Sequence, residues 1–441
     1  MKRKSIALSD ISTRSFIGKA AVLVTMILGL SLSGCSRAAV KAKREVISLA
    51  GVWRFRLDPG QVGQKQKWHE DRLPETISLP GSTTENGYGD DISVDTRWTG
   101  DIVDKSWFTA DKYAPYRQQG NIKIPFWLQP AKHYVGPAWY QKDVMIPKSW
   151  RGKRVLLHLE RCHWQTQLWV DGRLVGGQNS LSTPHEYDLG QLAPGKHRLT
   201  ICVDNTVKIN VGVNAHSVSD HTQSNWNGII GDIHLRAGDS VRLADVQVYP
   251  DIHEKMVRIR LVINNNTHLP VRGAVILKAE SFNAGKKHIV KPKKIPFSSA
   301  DKTPVVEIEY SMGDDVLLWD EFSPNLYRLT VGIEGEGFDD GKMIVFGMRE
   351  FGTEGTQFSI NGRKTLLRGT LECCIFPRTG YPAMEVEPWR RIFRICKAYG
   401  LNHVRFTRGV RRGRLLLRVI WKGCIFSRSA VSGPIRVMIR N

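Results

Sequence analysis

The sequence predicts a mainly β protein: two successive β-sandwiches, then the opening β-α-β unit of a parallel sheet. Three observations carry this. Short runs of alternating apolar and polar residues, broken by Gly, Pro, Asn and Asp, fill residues 46–346. No helical periodicity competes with them there. Beyond 346 a helix start with proline in its first turn lies between two short apolar runs. A chain of 441 residues, 41% hydrophobic and 24% charged, has room for two or three such domains.

Residues 1–34 read as an export signal. Lys2, Arg3 and Lys4 form a basic start, and the apolar run from Ala20 to Leu30 is too short for a convincing permanent span. It leads into Leu32-Ser33-Gly34-Cys35, which resembles a bacterial lipoprotein processing box, whose cysteine takes lipid and becomes the first mature residue. An ordinary signal peptide that happens to contain a cysteine is the alternative. The expected location is the bacterial cell envelope, with the mature chain tethered to a membrane face by acyl chains on the lipoprotein reading or periplasmic otherwise, and with residues 35–45 as linker.

Residues 46–240 form the first sandwich. Gly51–Leu57 and Arg154–Glu160 alternate, and Thr166–Val170 enters an Asp171-Gly172 turn, a strand-turn-strand signature. His197–Val203 follows a Pro194-Gly195 turn in the same way. A two-sheet sandwich follows, of which a jelly roll is one form. Residues 241–346 form a smaller immunoglobulin-like sandwich, with strands at 241–249, 256–263, 271–279, 305–310 and 326–331. No cysteine lies between 241 and 346, so the antibody-type disulfide is excluded. Residues 347–406 then supply a strand at Lys364–Gly369, a helix from Trp389 to Tyr399 stopped by Gly400, and a strand at His403–Phe406.

The formal charge of +22 suggests nucleic acid, but its distribution does not. Residues 1–44 carry +8 and residues 407–441 carry +9, leaving +5 for the 362 residues between. No nucleic-acid partner is expected. Cys162, Cys202, Cys373, Cys374, Cys396 and Cys424 make no Cys-x-x-Cys pair and no zinc spacing, so neither a metal nor a cofactor is expected. Buried thiols are the expectation, although Cys162 and Cys202 fall in one β-rich region and could meet.

Several stretches are recognisable together. Gly136–Tyr140, the Trp169–Gly172 hairpin and Asn225–Asp232 resemble the jelly-roll sugar-binding domain of glycoside hydrolase family 2, which includes β-galactosidases, β-glucuronidases and β-mannosidases. Phe346–Arg349, Asn361-Gly362 and Leu367–Gly369 resemble that family's passage from the immunoglobulin-like domain into a (β/α)8 TIM barrel, and Asn402–Arg405 resembles its second barrel strand. The resemblance covers residues 46–406 with the motifs in order. It implies hydrolysis of a β-linked, non-reducing-end sugar with retention, by one acid/base Glu and one nucleophilic Glu on late barrel strands. A full barrel takes about 250 residues, so no catalytic residue is assigned in this chain.

The resemblance also nominates substrate-side residues. Asn225, with Trp226, matches a loop that the sugar-binding domain lends to the subsite, and Asp220 and His221 lie just before it. The alternative is that they stabilise the loop. Glu372 ends the first barrel strand and could face the sugar pocket, or be a polar contact at the barrel mouth. Arg405 matches an arginine near the family's active-site floor, or makes a structural ion pair. Glu385 and Glu387 fit first-turn charge or capping at the helix start. Val135 stands near where some relatives place a subsite asparagine, and valine cannot make those hydrogen bonds.

Residues 407–441 fit no fold grammar and contain no acidic residue. A genuine basic tail is one reading. Out-of-frame translation is the other. Restoring one cytosine before the codon of Thr407 lets residues 407–412 read His-Ser-Trp-Cys-Pro-Pro and residues 420–426 read Asp-Met-Glu-Gly-Val-Tyr-Leu. The first resembles the family's loop after the second barrel strand, and the second the approach to its third strand. Truncated in this way, the chain is expected to be inactive, and a non-catalytic carbohydrate-binding lipoprotein is the competing function.

Overall fold

The computed structural model describes residues 45–100, 104–123, 130–181, 183–210, 218, 220, 225–372, 376, 379–406 and 425–428. The lipidation candidate Cys35, the subsite candidate His221 and most of the basic tail lie outside the described residues.

The first sandwich is built from β1 (Val46–Ser48), β2 (Gly51–Leu57), β3 (Glu75–Leu79), β4 (Gly81–Ser82), β5 (Pro137–Ile146), β6 (Arg154–His163), β7 (Gln165–Val170), β8 (Arg173–Asn179), β9 (His185–Gln191), β10 (Gly195–Asp204) and β11 (Gly228–Gly238). One sheet runs β1-β11-β6-β9 with β4 added beside β11, and the other runs β3-β2-β5-β10-β7-β8. Every pair is antiparallel, the arrangement that lets one face meet the core while the other meets loops or water. The alternation read from the sequence fills the space between the sheets: Trp53 and Phe55 of β2, Leu157 and Leu159 of β6, Ile201 and Val203 of β10, and Ile229 and Leu235 of β11 are all buried. The Asp171-Gly172 turn joins β7 to β8 with φ of 49° and 78°, the two positive values that this tight hairpin requires.

A second, smaller core lies on the outer face of the six-stranded sheet. There Trp139, Trp169 and Cys202 meet Trp68 and Leu73, which arrive on the loop between β2 and β3. Asp58 pins that loop: its carboxylate accepts Val62 N and Gly63 N, each at 2.8 Å, and Trp139 Nε1 at 3.1 Å. Cys162 on β6 and Cys202 on β10 belong to opposite sheets and remain free buried thiols, so the possible meeting of the two does not occur.

The second sandwich has β12 (Val241–Asp251), β13 (Met256–Asn265), β14 (Val271–Ser281), β15 (Lys293–Ser299), β16 (Val305–Ser311), β17 (Tyr327–Gly335) and β18 (Phe338–Phe346). They form a three-stranded sheet, β12-β13-β16, and a four-stranded sheet, β15-β14-β17-β18, around a core that includes Ile259, Leu261, Leu277, Leu329 and Val331. The immunoglobulin-like count of strands is complete. The strands β15 and β18 were not expected, because β15 is Lys- and Ser-rich and β18 carries two aspartates directly after its first residue.

A small antiparallel meander follows, of β19 (Phe351–Glu354), β20 (Gln357–Ile360) and β21 (Arg363–Thr365). Then come β22 (Gly369–Glu372), a helix at Val386–Ala398, β23 (His403–Phe406) and β24 (Ile425–Arg428), and these three strands pair in parallel. Two expectations are corrected. The single strand at 364–369 is two strands of different sheets, separated where Asn402 brackets the chain: Arg368 N donates to its side-chain oxygen at 2.8 Å, and Asn402 N donates to Arg368 O at 2.9 Å. The region after 406 does hold one fitting element, because the open edge of β23 captures the β-prone run at 425–428 as a third parallel strand. The helix closes over this sheet with Trp389, Phe393 and Cys396 against Val404 and Phe406.

Candidate functional site

One end of the first sandwich meets the start of the parallel sheet, and the sequence-nominated residues collect near that junction. Asn225, Trp226 and Asn227 run into β11, whose Gly228 pairs with Ser82 of β4. Ser82 Oγ donates to Thr379 O at 2.8 Å, and the Tyr381 hydroxyl donates to the Glu85 carboxylate. Trp226 and Tyr381 lie with ring centroids 5.5 Å apart, and Gly231 N donates to Met384 Sδ at 2.7 Å. Gly380 fits because it has no side chain: φ is +79°, and a Cβ would come within 2.9 Å of Trp226 Cβ. The loop after β22 is therefore seated on the sandwich through Trp226 rather than hanging free.

Asp220 is the electrostatic centre of this end and is 1% exposed. Thr99 donates to Asp220 Oδ2 twice, from N at 2.7 Å and from Oγ1 at 2.5 Å, and His133 Nε2 lies 3.3 Å from the same oxygen. Asn225 N donates to Oδ1 at 2.8 Å. Burial by itself would raise the carboxyl's pKa, but the His133 bond and charge, with the Thr99 donors, hold it below the usual Asp value. Behind it an amide chain fixes the loop. Asn205 Nδ2 donates to Tyr134 O at 2.9 Å and to Asn225 Oδ1 at 3.2 Å. Asn205 Oδ1 accepts Gly136 N at 2.8 Å, and Asn227 Nδ2 donates to Gly136 O and Val203 O, both at 2.9 Å.

The nominated residues thus divide. Asn225, 3% exposed, and Asp220 are brought together, and their polar atoms serve the loop itself. Trp226, 5% exposed, is an interdomain packing residue, with His163 Nδ1 at 2.5 Å from its carbonyl. Val135 lies between His133 and Gly136, in the strand approach that Asn205 holds. Glu372 and Arg405 are not brought together. Arg405 is in register with Leu371, whereas Glu372 is in register with Phe406, which faces the helix. Alternation along a strand therefore turns Glu372 toward the helix layer, where its charge acts on the Cys396 thiol, instead of toward Arg405's face. Glu385 is the N-cap residue of the helix and makes no side-chain cap bond. Glu387 in the first turn pairs with Arg390 at 3.1 Å and Arg394 at 3.4 Å.

His133, Thr99, Asn205 and Tyr381 were not nominated. Their partners lie 87, 121, 71 and 296 positions away along the chain, at separations that no local pattern marks. Among the described residues no group of three His, Cys, Asp or Glu converges as a metal site.

The comparisons with known proteins agree with this architecture. Residues 101–237 match the model for "Glycosyl hydrolases family 2, sugar binding domain", and residues 241–349 match the model for "Glycosyl hydrolases family 2". A β-glucuronidase of Paenibacillus borealis is 27% identical over 167 residues, 37% of this chain and 22% of that protein. A β-galactosidase of Thermoanaerobacterium thermosulfurigenes is 24% identical over 265 residues, 59% of this chain and 36% of that protein. Among solved structures, Bacteroides uniformis β-glucuronidase 2 aligns with a TM-score of 0.66 at 18% identity, over 88% of this chain and 42% of that one. The chain therefore spans well under half of each of these proteins. Two family models in tandem, on the two sandwiches that the structure shows, make the chain a member of glycoside hydrolase family 2.

Proposed function

We propose that this chain is the substrate-side, non-catalytic portion of an exported family 2 β-glycosidase and that by itself it does not turn over substrate. The supporting observation is the inventory of carboxylates from residue 361 onward. Residues 361–441 contain three, Glu372, Glu385 and Glu387. Glu372 faces the helix layer and the other two sit at the helix start. A retaining mechanism needs two carboxyl groups about 5–5.5 Å apart across the scissile bond, one as nucleophile and one as acid/base. Nothing in this set can form such a pair. The relatives include both a β-glucuronidase and a β-galactosidase, so the class proposed is a β-linked, non-reducing-end sugar, with hydrolysis assigned to barrel coding that lies out of phase after residue 406.

Sequencing the genomic DNA from the codon of Asn402 through the following coding region tests this. One additional base that opens a frame with two further glutamates on barrel strands supports the proposal. Absence of barrel coding in every frame would refute it.

A second reading, a carbohydrate-binding lipoprotein, is favoured by two features: the Leu32–Cys35 box and two sandwiches whose main cores are formed by their own residues. Metabolic labelling with a palmitate analogue, compared with the Cys35→Ala variant, tests the anchor. Label on the wild type that is absent from the variant supports it, and no label on either refutes it.

A further inference from the structure

The outer face of the six-stranded sheet carries a cavity of about 180 Å³, whose lining includes none of the residues that touch the 379–384 loop. Trp139 and Cys202 line its sheet side. Four glutamines surround the opening: Gln61 and Gln64 from the Asp58-pinned loop, and Gln165 and Gln167 from β7. The last two are alternate residues of one strand and so share a face. Gln165 is in register with Asp204 and Gln167 with Cys202, which in turn is in register with Trp139.

The state of the polar groups decides what this cavity suits. Its two carboxylates are already satisfied: Asp58 by Val62 N, Gly63 N and Trp139 Nε1, and Asp204 by Thr206 N at 2.9 Å and the Lys208 ammonium. The four carboxamides have no hydrogen-bond partner among the described residues. A carboxamide both donates and accepts, and so does every hydroxyl of a sugar. The lining residues include no Lys, Arg or His to meet an anionic ligand, and the Lys208 ammonium beside Asp204 is held by that carboxylate. The volume lies below the roughly 300–1,000 Å³ of sites for drug-sized ligands, which suits a single ring or one chain end.

We propose that this cavity is a carbohydrate subsite for neutral sugar residues, built from residues other than those of the barrel junction and able to hold a glycan end on the sandwich. It stands on the cavity alone, so its failure leaves the barrel reading untouched, and the reverse also holds.

The test is titration of the purified 441-residue chain with methyl β-galactoside, methyl β-glucoside, methyl β-mannoside and methyl β-glucuronide, by calorimetry and saturation-transfer NMR. At least one neutral glycoside is expected to bind at concentrations up to about 10 mM, and the glucuronide about tenfold more weakly or not at all. The Gln61→Ala/Gln64→Ala double variant changes only exposed loop residues and is expected to keep its melting temperature. It should lose about tenfold in affinity, the loss expected for two hydrogen bonds to a sugar. Gln167→Leu, on the sheet side, should have the same effect. No binding by any neutral glycoside, equal binding of the glucuronide, or affinity unchanged in both variants would overturn the proposal.

Discussion

Asp220→Asn keeps the side chain's shape and removes its charge, and its effect can be worked from the geometry. Thr99 N, Thr99 Oγ1 and His133 meet Oδ2, while Asn225 N meets Oδ1. An amide places an NH2 against either the Thr99 donors or the Asn225 N–H, so at least one buried donor loses its acceptor. Hydrogen bonds to charged groups contribute about 1.5–3 kcal/mol, and a buried donor left without its acceptor costs about 1–3 kcal/mol. A net cost of about 3 kcal/mol follows. A domain of 150–250 residues changes its Tm by roughly 2–4 °C per kcal/mol, so the first sandwich's midpoint should fall by roughly 6–12 °C. Thermal unfolding at pH 7, followed by near-UV circular dichroism, measures this. His133→Asn and the double variant complete a cycle whose coupling should be on the order of 1 kcal/mol or more. Because the folded carboxyl's pKa lies below its unfolded value, the stabilisation is present above the ordinary Asp range and is lost as pH falls through the folded value. The difference between wild type and Asp220→Asn should therefore shrink in acid. A midpoint shift under about 1 °C, or strict additivity with His133→Asn, would refute the reasoning.

Other perturbations give equally definite expectations. Gly380→Ala places a methyl group against Trp226 at a positive φ. It should loosen the 379–384 loop by about 1–3 kcal/mol, read as faster hydrogen exchange there with the sandwich cores unchanged. Trp53→Ala empties a fully buried ring site in the first core. It should cost about 3–5 kcal/mol by urea denaturation, whereas removing exposed Leu366 should cost little. His234 is held to a pKa of about 4, first by burial and then by His158 and Arg236. Its neutral form therefore stabilises the fold, in a contribution lost as pH falls from about 6.5 to about 4. His234→Gln should flatten the stability profile across that window. Glu186, beside His158 and Arg236 at 3.0 Å each, is lowered to about 2. Glu186→Gln should remove a further loss of stability between about pH 4.5 and pH 2.

Both sandwiches were legible because alternation with period two is a local signal, and the buried sets in β2, β6, β10 and β13 are those that the apolar positions indicate. The helix was legible from proline and glycine at its ends. Strands whose partners supply the burial were not legible: β15 and β18 carry charged and small residues. The site was less legible for the same reason. Asp220 and Asn225 were singled out by position near a motif, but their roles are set by Thr99, His133 and Asn205, which are distant in sequence. Glu372 shows the limit most plainly. Its place at a strand end was readable, whereas the face it takes depends on the parallel register with β23. The loop that brings Gln61, Gln64 and Trp68 over Trp139 likewise joins segments whose meeting no local pattern marks.

The central claim is that this chain has the recognition architecture of family 2 without its carboxylate pair. The most direct measurement is hydrolysis of aryl β-galactoside, β-glucuronide, β-glucoside and β-mannoside by the purified 441-residue chain, beside a product made after inserting one cytosine before the codon of Thr407 and reading on in the restored frame. The account predicts no release above the buffer rate from the chain as it stands, and release with retained anomeric configuration from the repaired product. Turnover by the 441-residue chain that is abolished by Glu372→Gln would contradict it.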